Sequence, residues 1–174
     1  MTNAQTEQAA ARQPLRLWPG AVAVMLQWLL RFGIPAVVPG AITFGVIGGL
    51  VGGLAVVVWW GFFSRAPRSE RWGAVLLMAV ALVATSTLLH ESIATAMEGM
   101  MFAVYAVPVL SLAFVVWAVV SRGLADGPRR AAMIATILLA CGFWTLLRTG
   151  GFTADLDQDF AWRWSQTPEE RLLA

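Results

Sequence analysis

The sequence predicts an all-α integral membrane protein, a five-helix transmembrane bundle with a cytoplasmic N-terminus and a periplasmic C-terminus. Charged residues make up only 13% of the chain, against roughly 25% in soluble domains. Each of five long apolar stretches has about the 17–25 residues that a helix needs to cross a ~30 Å hydrocarbon core. These stretches are Gly20–Val38, Ile42–Phe63, Trp72–Leu89, Met101–Val120 and Ala131–Leu147.

Short connections favour a sequential up-down order for these helices. Little more than Pro39-Gly40 separates the first two stretches, and this pair is typical of a tight turn. The connections Ser64–Arg71 and Ser121–Arg130 are also short, and each contains a proline. We therefore expect consecutive helices to be antiparallel neighbours.

The distribution of arginine predicts the orientation. All the basic residues are Arg, and most lie before the first stretch, after the second and after the fourth. Under the positive-inside rule these segments are cytoplasmic. The other side carries His90, Glu91, Glu98 and an acidic C-terminal segment. Five crossings also place the two termini on opposite sides, so charge and parity agree on a multi-pass protein of a bacterial inner membrane.

Three regions follow from this topology. Residues 1–19 are polar and are expected to form a disordered cytoplasmic tail. They do not resemble a signal peptide, because the next apolar stretch is long and has no evident small-residue cleavage site. Residues 20–148 form the transmembrane domain. Residues 149–174 are a periplasmic segment that we expect to lead into a further domain.

The second stretch contains closely spaced glycines that predict a packing surface. Small residues four apart let another backbone approach closely within a membrane. The first interpretation is packing inside this bundle; the alternatives are a helix of a partner chain, or a lipid or quinone tail. The glycines concerned are Gly45, Gly48, Gly49, Gly52 and Gly53.

Four polar residues near the predicted periplasmic side form a hypothetical quinone contact. Arg31 lies inside the first apolar stretch, where a charge suggests a functional site. It could instead snorkel to the headgroups or pair with Glu91 or Glu98. His90, the only histidine, could bond a quinone oxygen with Glu91 as its proton partner. Both are also explained as a polar helix end, and Arg148 as a cation ending the fifth helix.

Other chemistries lack their residues in this chain. A net charge of +2 is too small to indicate nucleic-acid binding. The single cysteine, Cys141, has no Cys/His cluster around it in sequence, so no zinc site is predicted. There is no phosphate-binding glycine loop and no Ser/His/Asp set. We therefore assign no catalytic residue and no metal ligand.

Several segments resemble the N-terminal membrane region of bacterial PQQ-binding-like β-propeller proteins. They include PLRLWPGAVAVMLQWLLRFGIP, VVVWWGFFSRAPRSERWGAV, LLHESIATAMEGM and LLRTGGFTADLDQDFAWRWSQTPEERLLA. The resemblance implies a membrane anchor ahead of a periplasmic quinoprotein-like propeller. It also implies PQQ in that propeller, whose blades are not among these residues, so none of the family's PQQ or metal ligands maps here.

Three functions are compatible with the sequence. The first is the anchor domain of a periplasmic PQQ-type propeller, with a quinone contact near its outer face. The second is a structural subunit of a larger respiratory or photosynthetic membrane complex, motivated by the glycine-rich face. The third is a small transporter, but the polar residues within the helices are too few for a convincing transport pathway.

Overall fold

The computed structural model describes residues 17–38, 40–152 and 158–166. Most of these residues are helical, and one small β-hairpin follows the last helix. The segment 1–16, most of the expected disordered tail, lies outside the described residues. So does the end of the C-terminal segment, residues 167–174.

Six helices precede the hairpin in the described part of the chain. They are α1 (Trp18–Val37), α2 (Ile42–Phe63), α3 (Arg68–Ser86), α4 (Glu91–Ala94), α5 (Met101–Val120) and α6 (Asp126–Gly142). Among the described residues, α1, α2, α5 and α6 with their short extensions are long and apolar enough to cross a membrane. The prediction of a helical protein with several such helices is confirmed. Helix α3 is also long, but its first turn contains Arg68, Glu70 and Arg71, which lower its mean hydropathy.

The boundaries of the last helix differ from the prediction. Helix α6 begins at Asp126 and ends at Gly142, and a 3-10 turn, Phe143–Leu146, follows it. Pro128 lies in the first turn of α6, where its missing N–H costs no intrahelical bond, so it does not mark a loop. The interpretation of Arg148 as the end of a helix is wrong, because Arg148 lies in a β-strand.

The chain ends its described part in a two-stranded antiparallel sheet that the sequence analysis did not predict. Strand β1 is Leu147–Phe152 and strand β2 is Gln158–Trp162. The register pairs Leu147 with Trp162 and Thr149 with Phe160. Because β1 continues directly from α6, the hairpin lies at the same end of the bundle as the end of α6.

Helices α2 and α5 run parallel to each other, as their contacts along the bundle indicate. Gly53 of α2 lies against Val107 in the first half of α5. Further along, Trp60 of α2 packs edge-to-face on Phe114 and Trp117 in the second half of α5. Trp60 is fully buried, so this aromatic cluster forms the core of the bundle at the end where α2 and α5 finish.

Two ends of the bundle can be distinguished by these contacts. At the Arg-rich end, the starts of α3 and α6 meet through an ion pair between Glu70 and Arg129. At the hairpin end, Ser92 of α4 bonds to Thr149 of β1.

Candidate functional site

The glycine-rich face of α2 packs against other helices of the same chain. A Cβ built on Gly45 would lie 2.7 Å from the Pro35 ring of α1, and one on Gly48 would lie 2.9 Å from Leu30. Gly53 faces Val107 of α5 in the same way. These contacts match the first interpretation of the glycine spacing, packing inside the bundle, because only glycine admits helices this close.

Gln27 joins α1 to the same face. Its side-chain Nε2 donates a 2.7 Å hydrogen bond to the Gly49 carbonyl, and the residue is 1% exposed. Beside it, a Cβ on Gly52 would lie 2.5 Å from Gln27 Cγ. Gln27 therefore fixes the register of α1 on α2 by a polar bond whose alternative, an unpaired amide in an apolar interior, is costly.

Arg31 follows Gln27 by one turn and is buried at 5% exposure. It lies in a π-helical turn, Leu29–Gly33, a distortion of α1 that proteins often place at functional positions. Its guanidinium carbon lies 4.7 Å from the Tyr105 ring centroid and 4.8 Å from that of Phe32. The Nε and Nη2 atoms have no hydrogen-bond partner among the described residues. Aromatic faces therefore stabilise this charge.

The earlier explanations of Arg31 are corrected by this geometry. The side chain packs on Tyr105 inside the bundle, so it does not snorkel to the headgroups. Within the described part of the chain, no ion pair joins it to Glu91 or Glu98. Arg31 can be buried because its aliphatic stem packs beside Gly49 of α2 and its guanidinium packs on the ring of Tyr105.

His90 caps the short helix α4 at the hairpin end. Its Nδ1 accepts the Ser92 backbone N–H at 3.2 Å and lies 2.9 Å from the Ser92 hydroxyl. The Thr149 backbone N–H donates to the same hydroxyl at 3.1 Å. Because Nδ1 is an acceptor here, the bonding pattern assigns the ring proton to Nε2. His90 thus helps to hold β1 against α4.

Among the described residues, no hydrogen bond or ion pair joins the side chains of Arg148 and Glu91 to that of His90. Arg148 makes a long 3.5 Å bond to the Ser165 hydroxyl across the hairpin, while Glu91 is exposed. In the part of the chain described, no hydrogen bond, ion pair or ring contact links Arg31 to His90, Glu91 or Arg148. Direct contacts among the described residues do not link these four side chains, and the quinone contact stays a prediction.

An aromatic cluster attaches the hairpin to the helices. Phe160 of β2 packs edge-to-face on Tyr105, with ring centroids 5.5 Å apart, and on Trp144, 5.8 Å apart. Tyr105 also contacts Arg31. The cluster thus connects the hairpin to the buried arginine through one side chain of α5. The sequence signal for this cluster was the aromatic content of the C-terminal segment. Which rings contact each other depends on how the hairpin folds.

Replacing Phe160 with Ala should release the hairpin. Two aromatic contacts of about 0.5–1.5 kcal/mol each are lost, together with buried area. We expect trypsin to cleave after Arg148 and Arg163 about tenfold faster in this variant of the purified full chain, as followed by mass spectrometry. Phe44→Ala, on α2 at a position 76% exposed, is the control and should behave like wild type. Equal cleavage of both variants would show that Phe160 does not hold the hairpin.

The Arg-rich end contains a buried ion pair that the sequence analysis missed. Arg129 Nη2 lies 2.9 Å from Glu70 Oε1, and the two side chains are 11% and 2% exposed. These two atoms are within ion-pair distance, but their angle is not that of a hydrogen bond. Trp117 donates a 3.2 Å hydrogen bond to the Arg129 carbonyl. Glu70 is the one acid in a run of arginines, and that was the available signal.

The described part of the chain contains four helices capable of crossing a membrane, and they pack through glycines and buried aromatic rings. These are the features of a multi-pass helical membrane protein. No protein-family model, curated protein or solved structure matches the chain.

Proposed function

We propose that this chain is a five-span anchor domain of a bacterial inner membrane that holds its C-terminal segment at the periplasmic surface. In accord with the resemblance noted above, the segment would belong to a periplasmic PQQ-type β-propeller protein, and PQQ would bind only there. The observation that carries the proposal is the hairpin. It continues from α6 and is fastened to α4 and α5 by Ser92 and Phe160.

The parallel arrangement of α2 and α5 supports a fifth crossing. A chain that leaves α2 at the Arg-rich end must return to the hairpin end before α5 can begin. Helix α3 lies between them in sequence, and its 19 residues correspond to about 28 Å of helix. This length is close to the ~30 Å of a hydrocarbon core. Its charged first turn would lie at the membrane surface, paired through Glu70 with Arg129.

The arginines of the described residues support the orientation. The Arg-rich end carries six of them, Arg65, Arg68, Arg71, Arg122, Arg129 and Arg130. The hairpin end carries Arg148 and Arg163. An excess of arginine in short loops favours the cytoplasm, so the hairpin would be periplasmic.

Cysteine labelling in intact cells tests this topology. In a Cys141→Ala background, we introduce Asp159→Cys in the hairpin and Ala125→Cys at the Arg-rich end, both at exposed positions. A membrane-impermeant maleimide should label the first variant in intact cells and the second only after the membrane is disrupted. The reverse pattern would overturn the orientation, and labelling of both in intact cells would overturn the membrane topology.

A second pair tests the crossing by α3. Ser69→Cys lies in the first turn of α3 and Glu98→Cys lies beyond the end of this helix, and both positions are exposed. We expect only Glu98→Cys to react in intact cells. Equal accessibility of the two positions would show that α3 does not cross.

The quinone contact near the periplasmic face stays a prediction, because no direct contact between the described residues links its four side chains. The alternative of a structural subunit in a larger complex loses the feature that motivated it, since the glycine-rich face already contacts α1 and α5. The transporter alternative gains no supporting observation.

A further inference from the structure

A lateral cavity of about 350 Å³ separates α2 from α3, with α5 as its floor. Leu54 of α2, 63% exposed, lies at its rim, so the cavity opens toward the surroundings of the bundle. Of the described lining residues, Ser111 alone has a polar side chain, and its hydroxyl already donates to the Val107 carbonyl at 2.8 Å. The cavity therefore suits a hydrocarbon chain.

Exposed arginines lie above this cavity. Arg68 is seven, eleven and fourteen residues before Val75, Ala79 and Leu82, which line the cavity on α3. At 100° per residue these four positions share one helix face. Arg65, also exposed, lies in the loop just before Arg68. The two arginines thus lie at the end of the same face of α3 that lines the apolar cavity.

The depth of the cavity matches that of an acyl chain. With a rise of 1.5 Å per residue, Val75 and Leu82 lie about 10 and 21 Å below Arg68 along the helix. One leaflet contributes about 15 Å of hydrocarbon and several Å of headgroup layer. A phosphate at Arg68 would therefore place its acyl chain at the level of the cavity.

We propose that an anionic phospholipid binds here, with its phosphate at Arg65 and Arg68 and one acyl chain between α2 and α3. Arg71 holds the two helices together at the head of the site, since its Nη1 donates to the Gly61 carbonyl at 3.0 Å. A phospholipid fits better than an apolar partner helix, because its phosphate supplies a counter-charge for Arg65 and Arg68 that such a helix lacks.

Native mass spectrometry of the purified full chain tests this site. The probes are phosphatidylglycerol and phosphatidylcholine with identical acyl chains. We expect one retained phosphatidylglycerol per chain and a preference of about tenfold over phosphatidylcholine, as two arginines near a headgroup would give. Ala79→Trp fills the cavity from an exposed position and should abolish retention of that lipid.

Matched variants separate the two parts of the site. Ala84→Trp adds the same ring on another exposed face of α3 and should retain the lipid. Arg65→Gln with Arg68→Gln should lower the preference to about twofold or less. Arg130→Gln, which removes an exposed arginine near the start of α6 at the same end, should leave it unchanged. The arginine variants leave the helix interfaces intact, so they test the site even where the tryptophan variant folds poorly.

Several outcomes would overturn the proposal. Retention by Ala79→Trp equal to that of Ala84→Trp would exclude the cavity, and an unchanged preference in the double arginine variant would exclude this headgroup position. A dimer that Ala79→Trp dissociates would show that a second chain occupies the gap. A copurifying quinone displaced by Ala79→Trp would show an isoprenoid tail instead of a phospholipid.

Discussion

Gly45→Leu should destabilise the protein by about 3 kcal/mol, near the upper end of the usual cost of overpacking. A Cβ at this position would lie 2.7 Å from the Pro35 ring and 3.1 and 3.2 Å from the carbonyl oxygens of Leu30 and Arg31. Two of these three neighbours are backbone atoms of α1, so the helix itself would have to move. The free energy of unfolding, measured by titrating detergent-solubilised protein with SDS, gives the effect.

Gly73→Leu is the matched control. No atom lies within 4 Å of a Cβ built at this position on α3, and glycine is a poor helix former. The same substitution should therefore leave stability unchanged or raise it by up to about 1 kcal/mol. If both variants lost equal stability, the close approach of α1 and α2 would not be the cause.

Glu70→Leu should cost about 3–5 kcal/mol, the usual effect of breaking a buried ion pair. The substitution leaves the Arg129 guanidinium, 11% exposed, without its counter-charge beside Trp117. The same SDS titration measures the loss. Glu98→Leu, which removes an exposed acid at the hairpin end, should change stability by less than about 0.5 kcal/mol.

The double variant Glu70→Leu with Arg129→Met distinguishes the pair from its parts. Removing both charges removes both desolvation costs, so stability should return to within about 1 kcal/mol of wild type. The cycle of single and double variants measures the coupling between the two residues. A double variant as unstable as Glu70→Leu would mean that Glu70 acts through other contacts.

The apolar helices were predictable because their signal is local. Helix α5 begins at Met101 and ends at Val120, as its apolar run predicted, and the central turns of α1 and α2 agree equally well. The predicted bounds of α6 were about five residues too late in the chain. Pro128 is tolerated in the first turn of the helix, and the residues after Gly142 adopt other structure. Strand β1 within that structure depends on pairing with β2, and the paired residues are six (Phe152 with Gln158) to fifteen (Leu147 with Trp162) positions apart.

The candidate site was predictable only in part. Arg31 is conspicuous as a charge in an apolar stretch, but its contact with Tyr105 lies 74 positions away in sequence and depends on how α1 and α5 are rotated. Glu70 and Arg129 are 59 positions apart and meet only because α3 and α6 start at the same end. His90 was correctly placed after the third helix, yet its bonding to Ser92 is a local capping pattern and not a ligand site.

The sequence by itself determined that this chain forms long apolar helices whose glycines allow close packing, because hydropathy and small side chains are properties of short segments. Only the tertiary structure decided that α2 lies against α1 and α5, that aromatic rings cover Arg31, and that a hairpin follows α6. Those features depend on contacts between distant segments, whose geometry is set when the helices pack and not by any one stretch of residues.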